Sequence, residues 1–337
     1  MTIQVLGIDL GKRQFHVVGH DKHGNELLKE KFTRPKLLKF LQLHPSTTVV
    51  FEACCGAHWL GRKCQDMGHT VKLIPPQYVR PYVKTNKNDF IDASAIAEAA
   101  SRGSMRFVEV KSEQAQLIAA TLRIRAGIIK ERTARMCRIG AILLEFGLSL
   151  PKGHATMKRL LQWIAEQPVE IPLALRMLLQ AEHEAYNDAN ERIAKLDKQL
   201  QKQVRQEEKG ALLTSIPGVG DLIASHCLAE LESVSQFTNG RNMAAWLGLV
   251  PRQHSTGGKA RLLGISKRGN KHLRTMFIHG ARAIMSRPEL AVKHFGSWVT
   301  DLLATKPFNV ATVALANKLA RITWAVLHTQ QPFDAKS

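Results

Sequence analysis

Acidic residues are in short supply in this sequence. Its 337 residues hold 28 Asp and Glu against 48 Lys and Arg, a formal charge of +20 at neutral pH. A cationic surplus of this size in a folded chain points to a polyanionic partner, because Lys and Arg gain free energy by displacing condensed counterions from phosphates. Ribosomal and other nucleic-acid proteins share the property, so the charge names a partner class and no chemistry. Cysteine is sparse as well. Cys54, Cys55, Cys64, Cys137 and Cys227 form no C-x-x-C pair and no Cys/His group at zinc spacing, a pattern that suits reduced thiols in a cytosol, most of them buried as small hydrophobes. The opening MTIQVLGIDLG lacks a basic flank, an apolar h-region and a cleavage site, so no signal peptide is expected. Uncharged apolar runs stay short of the roughly 18 residues of a membrane span. The sequence has no G-x-x-x-x-G-K-[ST] loop, no long repeat and no low-complexity segment.

What is present is a globular chain, 45% apolar and long enough for two or three domains. Residues 3–9, 14–20 and 26–33 read as three short strands, with a hairpin signal from Lys22 to Asn25. There follow a helix from Pro35 to Leu43, a strand at 47–53, a helix over 57–68, a strand at 70–74 and a helix around 87–101. Strands first, then helix and strand in alternation, predict an α/β domain with a mixed sheet over residues 1–111. Beyond it the pattern turns to long helices. Residues 113–147 carry heptad-like apolar spacing and a basic face of Arg123, Arg125, Lys130, Arg132, Arg135 and Arg138. A second helix over 171–208 places Ile193, Leu196, Leu200 and Val204 at coiled-coil intervals. The pair predicts an antiparallel coiled-coil arm over 112–210, with pairing of protomers as a further use. Residues 211–337 form a third, helical domain.

The few acids are placed in a telling order. Asp9 ends one apolar strand and Glu52 another, where a carboxylate is costly unless a cation compensates it. Asp89 and Asp92 are three apart on one helix face. Each has an ordinary reading: Asp9 in GIDLG as a phosphate turn of an actin-like or sugar-kinase-like ATPase, Glu52 as an ion-paired core residue, Asp89 as a helix N-terminal charge. The ATPase reading needs a second phosphate loop and an adenosine motif, and neither is found. Together, on strand, strand and helix, the four favour an RNase H-like nuclease in which hard oxygen ligands hold two Mg²⁺ ions.

Two further segments concern nucleic acid. In IPGVGD, at 216–221, Gly218 and Gly220 fit the turn of a helix-hairpin-helix that offers N–H groups to a phosphate, with a plain helix connection as the competitor. Between Arg252 and Arg274 there are seven cations, Arg252, Lys259, Arg261, Lys267, Arg268, Lys271 and Arg274, and no acid. Ser255-Thr256-Gly257-Gly258 lies among them on a predicted loop. A hydroxyl there can be brought against a phosphate; the same residues also fit a loop that only grips phosphate.

GIDLGK, FEACCG (51–56), KNDFIDA (87–93), IPGVGD and GLVPRQHSTGGKARLLGISKRGNKHLR (248–274) together resemble the DEDD-type insertion-sequence transposases, the bridge-RNA-guided recombinases, over nearly the whole chain. The resemblance implies a RuvC-like domain whose quartet Asp9, Glu52, Asp89 and Asp92 binds Mg²⁺. It further implies a C-terminal transposase domain whose serine, here Ser255, attacks DNA and forms a transient phosphoserine link; Thr256 is the neighbouring hydroxyl. A tetramer with active sites shared between protomers, a structured guide RNA pairing with donor and target DNA, and a bacterial, nucleoid-associated cytoplasmic location belong to the same implication. The competing functions are a junction-resolving or structure-specific endonuclease that uses water, and a non-catalytic nucleic-acid binder.

Overall fold

The computed structural model describes residues 2–83, 88–257 and 261–334. The chain divides into two compact units, Met1–Gln114 and Ala115–Ser337.

The first unit runs β1 (Val5–Leu10), β2 (Gln14–His20), β3 (Glu26–Thr33), α1 (Arg34–Leu43), β4 (Thr48–Glu52), α2 (Ala57–Asp66), β5 (Thr70–Ile74), the single turn α3 (Pro76–Val79) and α4 (Asp89–Ala100). The five strands form one mixed sheet in the order β3-β2-β1-β4-β5, with β1 antiparallel to β2 and parallel to β4. Asp21 ties off the turn after β2. Its carboxylate accepts hydrogen bonds from the side-chain amide and N–H of Asn25 and from the N–H of His23, and these donors pull its pKa down to about 2.

Strand alternation sorts the sheet into two faces. Leu6, Ile8, Phe15, Val17, Val49 and Phe51 share a core with Leu37 and Leu41 of α1 and Leu60 and Cys64 of α2. Val50 and Ile74 join Ala95, Ile96 and Ala99 of α4 in a second core. The alternate positions Gly7, Asp9, His16 and Glu52 are thereby turned to the face that α4 covers. Gly7 sets how closely α4 approaches: a Cβ there would lie 2.2 Å from the Ala93 carbonyl oxygen and 2.9 Å from the Ala97 Cβ. Gly7→Ala is expected to lift α4 and to lower stability by about 1–3 kcal/mol, the usual cost of overpacking. A thermal midpoint equal to wild type would show that α4 tolerates the shift.

The second unit comprises α5 (Glu113–Glu145, beginning at the unit boundary), α6 (His154–Lys158), α7 (Leu160–Ala165), α8 (Leu173–Gln206), α9 (Glu208–Thr214), α10 (Asp221–Glu230), α11 (Gly240–Trp246), the two-stranded β6 (Pro251–Gln253) and β7 (Leu262–Ile265), α12 (Lys271–Met285), α13 (Pro288–Phe295), α14 (Trp298–Thr305) and α15 (Phe308–Thr329). Its main core gathers Ile118 and Leu122 of α5, Leu200 and Val204 of α8, and the inner faces of the helices from α9 onward. By length and composition α15 is the one helix among the described residues that could cross a membrane, yet half of its apolar window is buried, with Leu315, Ala316, Leu319 and Ala320 in the core.

Helices α5 and α8 pair in antiparallel fashion. Ile128 meets Ala189 and Ile193, and Arg125 binds Asp197, Arg132 binds Asn190, and Arg135 and Arg138 both reach Glu182. The basic face read from sequence is therefore largely engaged within the protein: four of its six cations are bound by α8. Partly exposed ion pairs such as these add about 1 kcal/mol or less each, so they fix register more than they add stability.

On α10, burial and then the positive charges of His272 and Arg125 pull the pKa of His226 down to about 4. The unfolded chain takes up this proton near pH 6.5, the folded chain only near pH 4. The associated stability is complete above about pH 6.5 and is lost as pH falls toward 4, by up to about 3 kcal/mol. The urea midpoint is expected to drop between pH 7 and pH 5, and to drop less in His226→Gln; parallel pH profiles for the two chains would contradict this.

Candidate active site

The acids come together through strand register. In the β1-β2 hairpin Asp9 lies directly opposite His16. In the parallel β1-β4 pair the last partners are Ile8 and Phe51, and the next step sets Asp9 beside Glu52. His16, Asp9 and Glu52 thus form a row across three adjacent strands, all on the face beneath α4. The seat of Ala93 and Ala97 on Gly7 brings the first turn of α4 over that row. Asn88 caps the turn, its side-chain oxygen accepting from the Phe90 N–H at 2.9 Å, so that Asp89 and Asp92 both lie at the helix start.

Electrostatics support the convergence of Asp9, Glu52 and Asp92. Burial, then the charges of Asp9 and Asp92, raise the Glu52 carboxyl above its ordinary pKa. No basic side chain pairs with Glu52 among the described residues. A half-buried carboxylate held against two others is a site short of positive charge, and its hard oxygen donors suit a divalent cation. Asp89 stands on the other side of Asp9: Asp9, His16 and Asp89 each offer a ligand atom within 4.8 Å of the others. Cys54 is exposed, as Cys55 and Cys137 are, so only Cys64 and Cys227 are the buried thiols expected. Partial desolvation and then Glu52 still raise the Cys54 thiol, which makes it a poor thiolate nucleophile.

Sequence reasoning missed His16. The signal was available in the hairpin: a turn centred between Lys12 and Arg13 pairs positions whose numbers sum to 25, and so pairs Asp9 with His16.

The basic serine segment is a hairpin rather than a simple loop. Pro251 pairs with Ile265 and Gln253 with Leu262, and the His254 N–H donates to the Arg261 carbonyl. Ser255 follows β6 on the exposed connection, its Oγ accepting from Gln253 Nε2 at 2.9 Å. Arg252, Arg261, Lys267, Arg268 and Lys271 are exposed, whereas Lys259 and Gly258 lie outside the described residues. Arg274 has a different place. It is 8% exposed and donates to the carbonyls of Leu247 and Arg268, so its guanidinium holds the chain on either side of the hairpin instead of lying open to a ligand.

The glycines of IPGVGD also part company. Gly218 has φ +82° and sits on α12, where a Cβ would meet Ile284 at 2.5 Å and the Gly280 carbonyl at 3.0 Å; Gly220, just before α10, is exposed with open space around it. A cavity of about 1180 Å³ lies beside the hairpin, between Pro251, Leu263 and Ile265 on one side and Trp298, Lys318 and Arg321 on the other, with no acid in its lining.

A five-stranded mixed sheet with Asp9 and Glu52 on the face covered by α4 is consistent with the RNase H-like fold of a DEDD transposase. Residues 6–147 match a family model for DEDD transposases of the IS110 type, and residues 210–295 match one described as the transposase IS116/IS110/IS902 family. The chain belongs to the IS110-type transposase family. It is 44% identical to the transposase for insertion sequence element IS1328 of Yersinia enterocolitica, over 96% of this chain and 97% of that one. A probable family 20 transposase of Pseudomonas aeruginosa is 42% identical over 97% of both chains. The transposase for insertion sequence element IS1111A of Coxiella burnetii is 40% identical over 98% of this chain and 91% of its own.

Proposed function

We propose that this transposase cuts and rejoins DNA with two sets of residues, a Mg²⁺-binding quartet of Asp9, Glu52, Asp89 and Asp92 and a nucleophilic serine, Ser255. The observation that carries the first set is the row beneath α4, where Glu52 is held between like charges with no cationic side chain among the described residues to relieve it. Bound there, as one ion or two, the metal would stabilise the charge developing on the attacking and leaving oxygens of a phosphodiester.

The second set is supported by family membership and by exposure of Ser255 in a stretch without acids. The Ser255 oxygen gives up its proton and attacks phosphorus, the P–O bond to one deoxyribose oxygen breaks, and that oxygen leaves as a hydroxyl with a proton equivalent to the one the serine lost. The strand is then joined to the protein as a phosphoserine ester. A DNA hydroxyl reverses the step on a new strand and frees the serine. Arg252, Arg261, Lys267, Arg268 and Lys271, with Lys259 beside them in sequence, neutralise the phosphate and the strand that carries it. Gly220 leaves backbone N–H groups at the start of α10 open to a further phosphate.

We assign residues 1–111 to the RuvC-like catalytic domain, 112–210 to the helical arm and 211–337 to the transposase domain. Pairing of protomers through the arm, a tetramer whose active sites are shared between protomers, and a structured guide RNA that selects donor and target complete the proposal, placed in the bacterial cytoplasm at the nucleoid. The test is a covalent adduct. With a cognate element end and Mg²⁺, a protein–DNA species should survive denaturation and map to Ser255. A protein that cleaves the same DNA without any adduct is a water-using nuclease, and the serine reading is then wrong.

A further inference from the structure

Asp9 has acidic neighbours on two sides, and the two sides differ in chemistry. Toward β4 it meets Glu52 and Asp92, an all-oxygen set. Toward β2 it meets His16 and Asp89. His16 is only 8% exposed, and its Nδ1 is buried without a hydrogen-bond partner among the described residues. That atom lies 3.5 Å from Asp89 Oδ2, longer than a normal hydrogen bond. The ring is not free to turn away. Phe90 packs edge-on against it, with centroids 4.6 Å apart at 77°, and Phe90 is itself held beneath the Lys29 ammonium at 5.4 Å.

We propose that His16 is a nitrogen ligand in a second cation position, built by Asp9, His16 and Asp89, and that it makes this position prefer a first-row transition ion over Mg²⁺. The inference rests on reading the quartet as a metal site. A buried imidazole nitrogen without a hydrogen-bond partner among the described residues, grouped with two carboxylates, is the donor set of a borderline-soft divalent cation, since imidazole strengthens binding of such ions more than that of Mg²⁺. Asp9 would be common to both positions. The position toward Glu52 and Asp92 keeps oxygen donors alone and the preference for Mg²⁺ that goes with them. The third strand contributes its ligand through register alone, because His16 is the cross-strand partner of Asp9.

The experiment uses the full-length protein with Mn²⁺ as the probe, followed by electron paramagnetic resonance. Wild type should show nitrogen coupling from a histidine in the pulsed spectrum of bound Mn²⁺. His16→Gln should lose that coupling and bind Mn²⁺ about tenfold or more weakly, while its Mg²⁺ affinity changes less than about threefold. Should His16→Gln fail to fold, the wild-type spectrum with ¹⁵N-labelled histidine decides alone. Mn²⁺ held in an Asp9-dependent manner without nitrogen coupling, or coupling that persists in His16→Gln, overturns the role of His16 and leaves the quartet standing. Mn²⁺ binding that is absent, or unchanged in Asp9→Asn, overturns the metal site itself.

Discussion

Asp9→Asn is expected to lower metal-dependent DNA cleavage by at least about a thousandfold, roughly 4 kcal/mol of transition-state stabilisation, without unfolding the protein. Asp9 is the residue shared by both sides of the acidic cluster, opposite His16 on one strand and beside Glu52 on the other. Asn keeps its shape and removes the charge. The Glu52 carboxyl, raised partly by that charge, then ionises more readily. Two measurements separate these effects: cleavage of an element end in Mg²⁺, and the thermal midpoint with and without metal. The rise in midpoint on adding metal should disappear in the variant. Cleavage within about tenfold of wild type would take Asp9 out of the chemistry.

Ser255→Ala is expected to cost at least about a thousandfold in strand cleavage and to abolish the covalent adduct. The side chain is exposed, and its one described hydrogen bond is accepted from Gln253 on the same strand end. The hairpin rests on the pairing of Pro251 with Ile265 and Gln253 with Leu262, which the substitution does not touch. A change of stability beyond about 0.5 kcal/mol is therefore not expected, and lost activity cannot be ascribed to lost fold. Thr256→Ala is the companion variant, because the adjacent hydroxyl could take the nucleophile's place; it should retain the adduct. Full cleavage by Ser255→Ala would favour the water-using nuclease.

The sheet of the first unit was legible because each of its elements is marked locally. The spans 14–20, 26–33 and 70–74 read from alternation and turn residues coincide with β2, β3 and β5. The long helices at 113–147 and 171–208 differ from α5 and α8 by only two residues at any end. What was not legible lies in pairing between distant segments. The short β6-β7 hairpin has three- and four-residue strands, too brief for a period to show. Arg274 reads as one more cation in a basic run, and only its burial beneath two backbone carbonyls gives it a different place. The arginines of α5 read as an open basic face until α8 supplies Glu182, Asn190 and Asp197.

For the site the division is just as physical. The residue types, the strand ends that carry Asp9 and Glu52, and the three-residue spacing of Asp89 and Asp92 are one-dimensional properties, and the sequence by itself determined them. It determined also that these few carboxylates stand in a chain with a net charge of +20, and hence that nucleic acid is the partner to consider. Tertiary structure alone decided which face the acids share, how near α4 comes, and that His16 stands among them. That required the sheet order, which joins β1 to strands on both sides, and the missing Cβ of Gly7, which lets α4 approach the sheet. A strand specifies its alternation locally, but which strand becomes its neighbour is fixed by packing across the whole sheet.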